Sequence, residues 1–446
     1  MRHLVAGFLI CVLSLLLVGG VGAKSRDVAL SDLKPTSDQQ NTIRIINEVL
    51  ERYHYRSDVE LDDDLAQQIF DKFLDALDPH RLYFYERDIR RFERSVQRLD
   101  DNLKSGNLDL AFDMFRVFRG RVDRQIAHAL ALVNQDHDFA ARESYQFDRS
   151  EGPWAKTDAE LDEIWRKRVK NDFLGLRLAG KADTEIREKL TKRYEGIGRH
   201  YRQFDSNDVF DVLANAYAQS LEPHTSYMSP STSENFDISM RLSLQGIGAV
   251  LRADNEYTTI QRTIPGGPAR ASKQIHTGDR IVGVGQGVSG KMEDVVGWRL
   301  QDVVDKIRGR KDSVVRLQIL PKSAGQAGRS KTVILMRKEI KLADQAAKSY
   351  VVGNLGNAPG INIGVIEVPA FYRDFGAERD GMDDFRSTTV DVRHLIQELE
   401  AKGVNGLLVD LRGNGGGSLK EATDLTGLFI AKGPVVQMKD SQGNVE

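Results

Sequence analysis

The spacing of apolar residues changes twice along this chain, and each change limits what the adjoining segment can become. From about Asn41 to Gln219 apolar residues recur every three or four positions. Ile89, Phe92, Val96, Leu99 and Leu103 form one such stripe, and Ile186, Leu190, Tyr194, Ile197, Tyr201 and Phe204 form another. That period is helical, and the Arg, Asp, Glu and Lys between the stripes are the wet faces of packed helices. Near Arg241 the texture shifts to short apolar runs divided by glycine turns. Leu242–Leu251, Thr258–Ile264, Arg280–Val284, Val314–Leu320 and Thr332–Met336 are expected strands, with Trp298–Ile307 as the one helix. After Leu342 strand-length and helix-length runs alternate: Ile361–Val368, Val390–Lys402, Gly406–Leu411, Leu419–Ile430 and Val435–Lys439. Such alternation predicts an α/β core. The fold class expected is therefore multidomain α+β. A helical N-terminal domain covers 24–235, a β-rich module 241–337, and an α/β core 338–446 whose sheet is incomplete, since its last strand would stand as a bare edge. Helix breaks are expected at Gly152-Pro153, Gly175 and Gly180.

Residues 1–23 do not belong to this scheme. Arg2 and His3 precede an apolar run from Leu4 to Val18, and Val21-Gly22-Ala23 offers the small residues of a cleavage site. A secretory signal peptide cleaved near Ala23 is expected, and with it a periplasmic location. The run is short against the ~20 residues that span a bilayer. Cys11, the chain's one cysteine, falls inside it, so the exported part would hold neither a disulfide nor a thiol nucleophile. A net charge of −2 gives no bulk electrostatic case for nucleic acid as a partner.

Two short stretches of the helical region are alike: Leu74-Asp75-Ala76-Leu77-Asp78-Pro79-His80 and Gln219-Ser220-Leu221-Glu222-Pro223-His224. Each puts an acid, a proline and a histidine after a helix, which is first of all a helix-ending turn. In the β-rich module, Ser243-Leu244-Gln245-Gly246-Ile247-Gly248 precedes a strand. Glycines on both sides of an apolar residue let successive N–H groups converge on an anion, and a chain-terminal carboxylate suits such a nest. Residues preceding that carboxylate would add to the sheet as a strand. Leu244, Gly246, Ile247 and Gly248 are thus the expected peptide-binding loop, with Val303, Val304 and Ile307 as the apolar wall. The glycines at 283, 285 and 287 are a strand-to-turn passage, because no helix follows as a dinucleotide site requires.

The run Gly406-Leu-Leu-Val-Asp-Leu-Arg-Gly-Asn-Gly-Gly-Gly417 carries an apolar strand directly into a glycine turn and then a helix starting near Ser418 or Leu419. Amides beside a helix start favour negative charge, and one of them, on Gly416 or Gly417, is suited to the oxyanion of acyl transfer. No Gly-Lys-Ser or Gly-Lys-Thr follows, which removes the nucleotide loop. Ser418 and Lys420 are two apart on a helix and diverge, and Ser31 and Lys34 sit in a polar leader.

Pro265-Gly266-Gly267-Pro268-Ala269 followed by Thr277-Gly278-Asp279-Arg280-Ile281-Val282-Gly283-Val284 resembles a PDZ domain of the circularly ordered bacterial type. Asp410–Gly417, together with Leu221-Glu222-Pro223-His224-Thr225-Ser226-Tyr227, resembles the carboxyl-terminal processing (tail-specific) serine proteases, with Glu222 where the family usually has aspartate. That resemblance implies a ClpP/crotonase-like protease core and a serine–lysine mechanism in which a lysine of lowered pKa deprotonates the serine. Both catalytic side chains would lie beyond Glu446, so none is assigned here. It further implies no metal, ATP or other cofactor, and the C-termini of unfolded or envelope proteins as substrates. A lipoprotein adaptor and peripheral membrane association are compatible with it. The alternative is a periplasmic PDZ receptor that binds tails without cutting them.

Overall fold

A computed structural model describes residues 27–56, 59–324, 328–353, 360–383 and 385–445. The expected leader and Cys11 lie outside the described residues. Among the described residues nine helices build the first domain: α1 (Ser37–Tyr53), α2 (Asp63–Leu77), α3 (Glu86–Glu93), α4 (Leu99–Ser105), α5 (Asp109–Val133), α6 (Asp158–Leu178), α7 (Asp183–Arg202), α8 (Ser206–Leu221) and α9 (Pro230–Arg241). Side-chain caps fix several starts. Thr36 and Gln39 exchange a capping box at α1, and Asp62, Thr157 and Asp205 cap α2, α6 and α8. The long α5 is the spine, packed by α6 and α7 on one side and α2 and α8 on the other. Phe73, Phe84, Phe112, Phe115, Phe118, Trp165 and Tyr194 are buried around it, each contributing ~1.5–3 kcal/mol by leaving water.

Both apolar stripes reach this core, but the first is not one helix. A 3-10 turn at Val96–Arg98 separates α3 from α4, and the stripe survives because the turn keeps Val96 and Leu99 facing inward. Gly175 does not break a helix either. It lies within α6, and termination falls at Gly180, whose φ of +78° is left-handed. The two acid-proline turns have one purpose. Asp78, 1 % exposed, accepts the N–H groups of Leu82, Tyr83 and Phe84 at 2.7, 2.8 and 3.0 Å. Burial pushes its pKa up while those three amides oppose the shift. Glu222 accepts His224 N–H at 2.9 Å and the Thr225 hydroxyl, which His54 Nε2 meets at 3.1 Å. In both turns the acid, not the histidine, organises the chain.

The second unit begins with β1 (Ser243–Gly246), β2 (Ala249–Asp254), β3 (Tyr257–Thr263), the short α10 (Pro268–Ala271), β4 (Arg280–Gln286), β5 (Met292–Asp294), α11 (Leu300–Ile307), β6 (Val314–Leu320) and β7 (Lys331–Met336). Its sheet runs β2-β3-β4-β6-β7, with β5 added on β4, so β2 is an open edge. Arg299, at the start of α11, donates to both carboxylate oxygens of Asp208 on α8 at 2.9 and 2.8 Å, and thereby ties the module to the helical domain.

Then come β8 (Lys338–Lys341), β9 (Lys348–Val352), β10 (Ile363–Glu367), α12 (Phe375–Arg379), α13 (Thr388–Ala401), β11 (Gly406–Asp410) and α14 (Leu419–Thr426). β8 pairs back antiparallel with β1 as a two-stranded ribbon, so the chain enters and leaves the module at one place. β10 lies between antiparallel β9 and parallel β11. Val435–Lys439 is not a strand. Val435, Val436 and Met438 are exposed, and one isolated bridge, Lys439 to Val445, is all that forms there. Apolar alternation makes a strand only where a neighbouring strand completes the ladder. Among the described residues no helix is long and apolar enough to cross a membrane.

Candidate functional site

The expected peptide loop stands at one end of open edge β2. Gly248 has φ +70°, and a Cβ there would approach Gly267 Cα to 2.8 Å, so this crossing of two backbones admits glycine alone. The crossing is held by Ile264 N–H donating to Gly248 O and Ala269 N–H donating to Ile247 O, at 2.9 and 2.8 Å. The carbonyls of 247 and 248 are thus engaged, whereas their N–H groups find no acceptor among the described residues. Two adjacent free amides at the mouth of a cavity of about 360 Å³ are what a carboxylate requires.

Leu244, Gly246, Ile247 and Gly248 all line this cavity, with Ala249, Val250 and Leu251 along its floor. Val304 and Ile307 of α11 form the apolar wall. Val303 belongs instead to the module's core, where it is fully buried, because the next residue on a helix points about 100° away. The opposite wall was not anticipated. Asn235, Ile238 and Ser239 of α9 face the groove, as do Leu342 and Gln345 after β8. Arg308 donates to Asn235 Oδ1 at 2.7 Å and closes α9 against the end of α11. The sequence signal available for α9 was Pro230 in its first turn.

Arg337 fixes α11 from beneath and was also missed. It is 3 % exposed, and its guanidinium donates to Ile307 O (2.8 Å), Lys306 O (3.1 Å), Val314 O (3.2 Å), Ser313 Oγ (3.0 Å) and Gln286 Oε1 (2.7 Å). Two of these acceptors are the final carbonyls of α11, which otherwise have no helical partner. Burial holds the guanidinium pKa below its ordinary value.

A second site lies where parallel strands β10 and β11 end, the usual position for a ligand cleft in such sheets. Glu367, Val368, Pro369, Asp410 and Arg412 border about 430 Å³. Arg412 donates to both Asp410 oxygens and holds that carboxyl down at about 2. The glycine turn follows. Phe371 clamps it, donating N–H to Gly416 O at 2.9 Å and accepting from Ser418 N–H at 2.8 Å. Gly417 has φ +138°, and a Cβ there would meet Phe371 O at 2.3 Å. Of the two amides expected to face an oxyanion, that of Gly416 already donates to Asn414 Oδ1 at 2.7 Å. The Gly417 N–H finds no acceptor among the described residues. Ser418 Oγ caps α14 by accepting Glu421 N–H, and Lys420 pairs with Asp424, so neither is poised for nucleophilic chemistry.

Beneath the turn, Glu421 is fully buried. It accepts from Arg373, from Ser387 Oγ at 2.9 Å, and from Thr389 N–H and Oγ1 at 2.8 and 2.7 Å. A buried carboxylate with this many donors locks the first turn of α14 to the start of α13. The bonds to Glu378 and then Glu421 raise the Arg373 pKa further.

A PDZ-like module with an open-edged groove, joined to an α/β unit with a glycine turn at its strand ends, defines a class, the PDZ-containing processing peptidases. Residues 46–231 match the tail-specific protease N-terminal domain, 236–320 the PDZ domain and 362–446 peptidase family S41, so the chain belongs to the tail-specific, S41-type proteases. It is 39% identical over 393 residues to the tail-specific protease of Haemophilus influenzae, across 88% of this chain and 53% of that protein. It is 28% identical over 279 residues to the carboxy-terminal processing protease CtpA of Bacillus subtilis, across 62% of this chain and 53% of that one. The chain thus spans about half the length of these relatives. The PDZ domain of the carboxy-terminal protease from Vibrio cholerae, crystallised with a peptide, shares 50% identity over 23% of this chain and all of that one, with a TM-score of 0.22.

Proposed function

We propose that this protein is a periplasmic serine endopeptidase that captures the free, apolar C-terminus of unfolded or envelope proteins in its PDZ groove and delivers the chain to the S41 core for cleavage. The observation that carries this is the pair of unengaged amides, Ile247 and Gly248, at the end of open edge β2 beside an apolar wall. A carboxylate anchored there places the preceding residues on the edge as an added strand. At the core, the Gly417 amide would stabilise the oxyanion while a serine deprotonated by a lysine attacks the peptide carbonyl. Neither the serine nor the lysine is assigned to a residue among those described. Export by a signal peptide cleaved near Ala23 is part of the same proposal, and so are a lipoprotein adaptor and peripheral contact with the membrane. The test is a cleavage assay on the full-length gene product, comparing a reporter with an apolar tail against the same reporter with a charged tail. Faster cutting of the apolar tail is expected, and equal rates would contradict tail recognition.

A further inference from the structure

Resting on the groove as a C-terminus receptor, the strand geometry also yields a sequence preference. A peptide added to β2 presents successive side chains to alternate faces. One face is set by Ala249 and Leu251, which pack on the module's core, and by Val304 and Ile307. It is apolar and receives the terminal residue and the one two before it. The other face is set by Val250, whose cross-strand partner on β3 is Arg262. Directly paired residues project from the same side, so Arg262 stands where the side chains one and three residues before the terminus emerge.

A bulge creates this placement. Val250 pairs with Arg262 but Leu251 pairs with Ile260, leaving Gln261 as the extra residue. Ile260 is fully buried, and in a regular strand Arg262 would share its face. The extra residue turns Arg262 outward instead. Its side chain is exposed and borders the same cavity, and among the described residues its guanidinium makes no ion pair, hydrogen bond or ring contact. The cavity's other arginine, Arg308, is occupied by Asn235. We propose that Arg262 selects substrates carrying an acidic side chain one or three residues before an apolar C-terminal residue.

The test is fluorescence anisotropy with the whole chain and labelled peptides of equal length and net charge, all ending in alanine. A single glutamate is placed one, two or three residues before the end, or far upstream. An exposed ion pair predicts about two- to fivefold tighter binding for the glutamate at one or three than upstream, while the glutamate at two, which faces the apolar wall, gains nothing over upstream. That preference should fade in about 0.5 M NaCl. It should vanish in Arg262→Gln, persist in part in Arg262→Lys, and pass to lysine-bearing peptides in Arg262→Glu. Equal affinity at all positions, or a preference that survives Arg262→Gln, overturns the role of Arg262 while leaving the receptor intact. Failure of every peptide to bind would sink the receptor itself, and this proposal with it.

Discussion

Replacing Arg337 by methionine keeps most of the side chain's length and removes all its donors, which isolates what those donors do. Ser313 Oγ and Gln286 Oε1 sit on side chains that can turn to water, but Ile307 O, Lys306 O and Val314 O belong to fixed backbone. Each buried acceptor left without a donor costs ~1–3 kcal/mol. Lys306 O keeps the Gln286 Nε2 donor at 2.7 Å and Val314 O keeps the Gly287 N–H at 2.9 Å, so Ile307 O is the carbonyl left bare, and with partial relief from the desolvated guanidinium the net loss is about 1–2 kcal/mol. The loss concentrates on α11, which at eight residues is too short to hold itself. A global melt of a multidomain chain is not two-state, so the assay is residue-resolved hydrogen exchange over α11, β6 and β7, paired with peptide affinity. Faster exchange in α11 and weaker peptide binding are expected together. Unchanged exchange and unchanged affinity in Arg337→Met would refute the claim that this arginine holds the groove wall.

Gln125 is fully buried and neither of its amide atoms has a partner among the described residues, so Gln125→Met should raise the urea midpoint of the helical domain by about 1–2 kcal/mol in stability; a loss of that size would contradict the assignment. Burial pushes the Asp211 carboxyl up from 3.8 to about 6. The folded state therefore binds this proton more tightly than the unfolded one. The resulting stability is fully present below about pH 4 and lost as pH rises through about 6, of order 1 kcal/mol after allowance for its partial exposure. Asp211→Asn should flatten the stability profile across that window, and an unchanged slope would count against it. Gly417→Ala forces a side chain onto Phe371 O in a left-handed backbone, and should destabilise the turn by about 2–4 kcal/mol, seen as faster exchange at the start of α14; equal exchange rates would show that the turn tolerates a Cβ.

What the sequence made legible was whatever depends on period and on obligatory glycine. The stripe Ile186, Leu190, Tyr194 predicted its buried helix face because a helix repeats whatever lies beyond it. The loop glycines announced themselves because Gly248 meets another backbone. Features set by distant neighbours were not legible. Arg337 looks like any strand-end cation until α11 is folded over it, and Asn235 gains its meaning from Arg308, 73 residues away in sequence. Val435–Lys439 has the pattern of a strand but no ladder to join. Helical phase explains Val303: the run Val303-Val304 shows two apolar residues, and tertiary packing alone decides which one faces the core.

The most direct measurement is a titration of the whole chain with one apolar-ended peptide in two forms, a free acid and a C-terminal amide. Two amide bonds to a carboxylate are charge-assisted and contribute ~1.5–3 kcal/mol each, so the free acid should bind at least about tenfold tighter. Equal affinities would mean that the Ile247 and Gly248 amides do not receive a terminal carboxylate.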